Sequence, residues 1–325
     1  MPGPDVAQPI GDPALPALAV ALDGGAMLPR IAGALGTEAR DARCAVEVLS
    51  HKPGSRATLR YTVEGAAPPA SAVAKIYREA SLAEQAFLRL RALGDALPDA
   101  SLPHALALLP DLGMFVQEHI DAPDVRHALA GGNGEQPLVL AARFLARLHA
   151  APPLRDLETL SIAHELGKVA QWLDQIEAEL PERGASLRAT GSSLRKRAPT
   201  RTEQPSSMVH KDFYYAHVLW DGARISVVDF DELQRGDPAF DAGHFVAHLA
   251  NLAYRQTGRA GAYAREGEAF LTAYESAAPA DVRDRLPFYQ AYTFVKLAAT
   301  ETSRKRGDWR TRAALLSDLA AQALA

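Results

Sequence analysis

Two aspartates and a histidine at suggestive spacing are the first residues of this chain able to do chemistry together. Asp212 stands in "MVHKDFYYAHVLW", residues 208 to 220; His217 follows five positions later, and Asp229, next to last in "RISVVDF", comes 17 positions after Asp212. Between them "HVLW", the turn "DGA" and "RISVVDF" read as a strand pair. Such a hairpin returns Asp229 beside the loop that holds Asp212, so two carboxylates can face one pocket. That pair serves phosphoryl transfer, where one carboxylate orients an attacking hydroxyl and the other binds a divalent cation. It also serves hydrolysis by paired acids.

Residues upstream separate these readings. Lys75 lies mid-strand in "AVAKIY", where an ammonium at an apolar position is costly without a charged partner. Glu84 comes nine residues later, on the helix face it shares with Phe87 and Leu88. A strand lysine paired with a glutamate from the next helix holds nucleotide α- and β-phosphates. Hydrolysis by paired acids gives no reason for that lysine.

The elements that must position these groups follow from periodicity. "ATLRYTVEG" alternates Ala57, Leu59, Tyr61 and Val63 with Thr58, Arg60, Thr62 and Glu64, the period of a half-buried strand. "CAVEVLSH" and "SAVAKIYR" read the same way across the turns "KPGS" and "GAAPPA", giving an antiparallel meander. "SLAEQAFLRLRALG" changes to helical spacing, with Ser81 as N-cap and Gly94 as a stop. "MFVQEHI" returns to a strand. After Asp121 helices dominate, among them "PLVLAARFLARLHAAPP" and "IAHELGKVAQWLDQIEAELP". The polar, basic residues 183 to 207 read as a partly mobile connection. The expected fold class is α+β, a small antiparallel-sheet lobe with one helix over residues 41–120 and a larger, mainly helical lobe over 121–325, preceded by a leader and short helix over 1–40.

Bulk properties narrow the function. The 325 residues are 48% hydrophobic and 23% charged with a formal net charge of −4, a soluble globular composition with no basic field for nucleic acid and no polybasic run for a membrane. Cys44 is the single cysteine, which excludes an internal disulfide and any cysteine-based zinc site and fits a reducing compartment. The N-terminal stretch lacks the basic and continuous apolar regions of a secretory signal, and no apolar run reaches membrane-spanning length. The expectation is a cytoplasmic protein; nothing in the sequence sets its oligomeric state.

Taken together, "VHKDFYYAHVLW…ISVVDFDELQRGDPAFDAGHF" resembles the catalytic segment of the aminoglycoside phosphotransferase and choline kinase superfamily, which has a bilobal protein-kinase-like fold. Lys75, Glu84, "FVQEHI" and "ARLHAAP" fall in the order that family requires, so the resemblance covers roughly residues 40 to 325. It implies an ATP-dependent transfer of the γ-phosphoryl group to a hydroxyl, with Asp212 as catalytic base and Asp229 as a Mg²⁺ ligand. Lys75 and Glu84 become the phosphate lysine and its partner, and Glu118 and Ile120 the hinge residues that meet adenine through backbone groups. Asp241, with His210 at the start of the loop, becomes structural support. The implied partners are a nucleotide and a small-molecule acceptor such as an aminoglycoside, another antibiotic, an amino alcohol or a sugar. A peptide serine or threonine as acceptor, and a pseudokinase scaffold without catalysis, remain alternatives.

The sequence departs from that family in three places. His217 stands where an asparagine usually supplies an oxygen to Mg²⁺, an ion that strongly prefers oxygen ligands. Either Asp229 and Asp231 hold the ion while His217 only hydrogen-bonds, or the site prefers Mn²⁺, or metal binding is damaged. A zinc site from His210, His217, His244 and His248 is a further option. No glycine-rich motif covers the phosphates; "SHKPGSRATLRY" offers one glycine flanked by Lys52, Arg56 and Arg60, which either contact phosphate or are solvated. Tyr214 and Tyr215 replace small residues and either pack on the helical lobe or stack on the acceptor.

Overall fold

Alternation along residues 56–64 becomes strand geometry with one face in the core. A computed structural model describes residues 11–38, 41–65, 70–98, 100–200, 207–278 and 281–325. In it the chain divides into two units, Met1–Pro98 with Leu102–Asp121, and Asp99–Ser101 with Ala122–Ala325.

The first unit opens with helices α1 (Leu18–Ala21) and α2 (Gly24–Leu35), followed by strands β1 (Arg43–Lys52), β2 (Arg56–Glu64) and β3 (Ala70–Tyr77), helix α3 (Ala80–Ala96), and strands β4 (Ala105–Leu109) and β5 (Met114–Glu118). These strands form one antiparallel sheet in the order β1-β2-β3-β5-β4. Ala57, Leu59, Tyr61 and Val63 point into the core with Ile76, Met114 and Val116, as the period of two requires. Leu15, Leu18, Met27 and Ile31 from the N-terminal segment enter that same cluster, and the Tyr61 hydroxyl donates to the Ala21 carbonyl at 2.7 Å.

Three expectations change here. The short leader helix is two helices, and their apolar side chains complete the sheet's core rather than lying apart from it; residues 1–10 are outside the described residues. Over residues 41–120 α3 is the one α-helix among the described residues, as expected. Strand β4 was not expected, because its five residues are all half-buried and carry no alternation. Helix α3 begins at Ala80, one residue ahead of the expected cap, and runs through Gly94, because an isolated glycine costs a helix only about 1 kcal/mol.

The second unit contains α4 (Arg126–Ala130), α5 (Glu135–Ala150), α6 (Ile162–Glu179), α7 (Gly184–Arg197), short strands β6 (Ser207–Val209), β7 (Val218–Trp220), β8 (Ile225–Val227) and β9 (Gln234–Gly236), and helices α8 (Ala239–Thr257), α9 (Ala264–Ala277), α10 (Leu286–Arg304) and α11 (Trp309–Ala323). Helix α7 corrects the expected connection at 183–207. Leu187, Thr190, Gly191 and Leu194 are buried at helical spacing, while the charges that gave the stretch its loop-like composition sit on the other face. Positions 201–206 fall outside the described residues. No helix among the described residues is long and apolar enough to cross a membrane.

Candidate active site

Two small antiparallel ladders, β6 with β9 and β7 with β8, frame the loop 210–217. The β7–β8 hairpin closes with the Val228 amide donating to the His217 carbonyl at 3.0 Å, which returns the chain to the loop at Asp229. Lys211 and Asp229 both sit at φ 68°, the left-handed region that L-residues other than asparagine and aspartate rarely enter. Strain of this kind persists only where surrounding bonds over-determine the backbone.

At Lys211 those bonds come from Asp241. Its carboxylate is fully buried on α8 and accepts the backbone amides of His210 at 2.6 Å and Lys211 at 2.7 Å. Two successive amides can turn toward one carboxylate only if the chain twists between them, which accounts for the φ of Lys211. Behind Asp241 the buried His149 approaches the same carboxylate at 3.1 Å from Nε2 and the Tyr274 hydroxyl at 2.7 Å from Nδ1. The buried His210 ring donates from Nε2 to the Val228 carbonyl at 3.1 Å, tying the loop's start to the hairpin's end. Burial pushes the His210 imidazole down, so it serves as a neutral donor. Phe213 fills the space below, stacked on Phe144 and tilted against Phe245.

Asp212, half-buried above this frame, is surrounded by nitrogen. His244 Nε2 of α8 lies 3.4 Å and Lys296 Nζ of α10 lies 3.7 Å from Oδ1, and His217 Nδ1 lies 3.8 Å from Oδ2. Burial alone would push the Asp212 carboxyl up, but the His244 contact and the positive charge of Lys296 outweigh it and hold the group far below the usual carboxylate range. Asp212 is a firmly ionised carboxylate, suited to orienting a hydroxyl more than to pulling a proton from it early.

His217 joins the two aspartates. Its Nδ1 is 2.8 Å from the Asp212 backbone carbonyl, which can only accept, so Nδ1 carries the proton. In the neutral ring Nε2 then offers a lone pair 3.4 Å from Asp229 Oδ2. Two electron-rich atoms facing each other at that distance repel unless a cation lies between them or the ring takes up a second proton. An Nδ1 proton given to a carbonyl with Nε2 free is how a metal-binding histidine is usually oriented. Asp212, His217 and Asp229 each place a donor atom within 4.8 Å of the others, so the donor set fits a divalent ion that accepts nitrogen. Among the described residues this is the one such group. Asp231 is half-buried two residues beyond it and outside the set. His210, His244 and His248 are outside it too, so the optional zinc site of four histidines does not assemble among the described residues. The His248 ring instead packs on Tyr214, 4.5 Å between centroids, and Tyr214 stacks edge-on against His217. The tyrosine pair therefore packs on the helices.

In the first unit Lys75 is buried in the middle of β3, paired in register with Thr58 and Phe115. Glu84 is exposed on α3. Arg56 is half-buried at the start of β2, where the hairpin turn ends. Glu118 closes β5; its amide donates to the His104 carbonyl at 2.8 Å and its side chain accepts the His104 amide. Ile120 lies half-buried just past that strand.

Lys296 and the role of His244 were not legible beforehand. Lys296 is a single lysine inside the apolar run "FVKLAAT", the kind of exception that marks a buried partner, yet nothing local says which. The same holds for Glu165 of α6, buried and bonded to the Tyr292 hydroxyl, to Lys168 Nζ at 2.9 Å and to Lys211 Nζ at 3.5 Å.

Comparison with known proteins identifies the family and the fold. The model of the phosphotransferase enzyme family, APH, matches residues 52–282. A putative aminoglycoside phosphotransferase from Ralstonia eutropha JMP134 superposes with a TM-score of 0.64 at 15% identity, covering 86% of this chain and 92% of its own. An amicoumacin kinase, hAmiN, in complex with AMP-PNP, Ca²⁺ and Ami gives 0.64 at 14% identity, covering 93% of each chain. A choline/ethanolamine kinase family protein from Mesorhizobium loti gives 0.58 at 17% identity, covering 95% and 94%. At these identities the likeness is one of fold. No curated protein matches the chain.

Proposed function

This chain belongs to the phosphotransferase enzyme family, APH, and is a phosphotransferase acting on a hydroxyl group; from that premise we propose that it moves the γ-phosphoryl group of ATP to a small molecule. Neighbours crystallised with ADP or AMP-PNP support ATP as the donor. The observation that carries the reading is the buried Asp241 carboxylate, which fixes two loop amides and so holds Asp212 and Asp229 on either side of His217.

In this reading Asp212 orients the acceptor hydroxyl in line with the phosphorus and receives its proton late, as the oxygen gains its new bond. Phosphoryl transfer passes through a loose transition state, so positioning by an ionised carboxylate contributes more than early deprotonation. Asp229 and His217 would hold a divalent ion, Mg²⁺ or Mn²⁺, whose charge offsets that of the phosphate oxygens. Lys75 pairs with the nucleotide phosphates, Arg56 reaches them from the hairpin, and the backbone around Glu118 and Ile120 meets the adenine edge. Glu84 is assigned as the brace of Lys75 once nucleotide is bound.

A thermal shift with AMP-PNP tests the donor half directly. Stabilisation that grows with AMP-PNP concentration in the presence of Mg²⁺ or Mn²⁺ is expected; no shift with either ion would leave the fold without its proposed nucleotide.

A further inference from the structure

A cation faces Asp212 Oδ1, while His217 Nδ1 faces Oδ2. Lys296 approaches from α10 with Nζ 3.7 Å from Asp212 Oδ1, and 36% of its side chain is open to solvent. Next in the chain, Lys211 is held against Glu165 of α6 together with Lys168. Glu165 is the buried carboxylate there, and it is already taken up by two lysines and the Tyr292 hydroxyl. Exposed Glu232 adds one negative charge near Tyr292. His244 stands in the wall of Asp212, fully buried.

An acceptor hydroxyl bound to Asp212 Oδ1 lies within one hydrogen-bond length of it, hence within roughly 6 to 7 Å of the Lys296 ammonium. Charges that close interact appreciably near a protein surface, and the sign decides between ligands. An acceptor carrying ammonium groups beside its hydroxyl would meet the Lys296 ammonium, and the buried Glu165 is already engaged by two lysines and Tyr292. An acceptor carrying an anionic group would find Lys296 within reach.

We propose that Lys296 makes this acceptor site selective for small hydroxyl compounds that bear a negatively charged group. The inference rests on the phosphotransferase reading and goes further, assigning the charge class of the substrate and a residue that reads it. Lys296 is a specificity residue in this scheme; Asp212 still receives the hydroxyl.

Glycolate, ethylene glycol and ethanolamine present one hydroxyl beside a negative, neutral or positive group, and ADP release from ATP by the full chain reads each as acceptor. The expected order is glycolate, then ethylene glycol, then ethanolamine, with about a tenfold span between the extremes. Lys296→Met should flatten that order, chiefly by raising KM for glycolate rather than lowering kcat. Lys296→Arg should keep it, and Lys296→Glu should reverse it. Equal rates with all three compounds, stimulation by none, or ethanolamine leading in the wild-type chain would overturn the inference. AMP-PNP binding measured alongside keeps the two failures apart: its absence removes the phosphotransferase reading and this inference with it, whereas binding with equal rates removes the charge preference alone.

Discussion

The His217 ring donates from Nδ1 to the backbone carbonyl of Asp212, five residues before it, at 2.8 Å. That bond settles which nitrogen is left over: Nε2 faces Asp229 across 3.4 Å. An asparagine in this place would present an oxygen, whereas the imidazole presents a nitrogen already aimed by the loop's own backbone.

A nitrogen donor favours the later divalent ions over Mg²⁺. The full chain with AMP-PNP should therefore take up Mn²⁺, seen as loss of the free-ion signal in electron paramagnetic resonance. His217→Asn should weaken Mn²⁺ binding by roughly tenfold, the lower end of what losing a metal-site group costs, and move the preference toward Mg²⁺. Identical Mn²⁺ titrations for both proteins would make His217 a bystander.

Removing the Asp241 carboxylate should cost more than any single loop contact. Asp241→Ala leaves the buried amide of His210, the part-buried amide of Lys211 and the buried ring of His149 without their acceptor. Each unmet buried donor costs about 1–3 kcal/mol, so a loss of about 3 kcal/mol or more is expected. In a unit of this size that is a fall in Tm of roughly 6–12 °C. Differential scanning calorimetry checks it; a Tm within a degree or two of wild type would show that the loop is held by other means.

Helices α8 and α10 meet at Gly243. A Cβ there would lie 2.7 Å from Tyr289 Cβ and 3.2 Å from the Gln290 amide nitrogen, so the helices must separate to admit it. Gly243→Ala should destabilise by about 1–3 kcal/mol as overpacking does, despite alanine's better helix propensity. Since α8 carries His244 and α10 carries Lys296, ADP release should fall as well. A more stable Gly243→Ala protein would contradict the packing described.

The β1–β2 hairpin is pinned from outside itself. Asp12 accepts the Gly54 amide at 2.8 Å and lies 2.9 Å from His51 Nε2, and these bonds hold its carboxyl below the usual range. Asp12→Ala should speed hydrogen exchange at the Gly54 amide while leaving the core of β2 protected. Unchanged exchange at Gly54 would show that the N-terminal segment does not restrain the turn.

Much of this could be read from the sequence because it is local. The alternation of β2, the turn "DGA" and the spacing of Asp212 to Asp229 each depend on neighbours along the chain, and each reappears in space. Helix α7 was hidden because its buried stripe of Leu187, Thr190, Gly191 and Leu194 is only half leucine and its other face is basic. Strand β4 lacked alternation because both of its faces are partly covered. Lys296 and His244 converge on Asp212 only through the crossing of α8 and α10, a packing that no window of sequence contains. Glu84 has the spacing of a brace for Lys75, and α3 presents it to solvent.

Everything turns on Asp212 as the group that orients the acceptor hydroxyl. The direct measurement compares the wild-type chain with Asp212→Asn for ADP release from ATP and for AMP-PNP binding. A fall in turnover of about 10²–10⁴-fold, the range for losing a positioned acid–base group, with AMP-PNP affinity within about twofold of wild type, is the predicted result. Turnover preserved in Asp212→Asn would contradict the account at its centre.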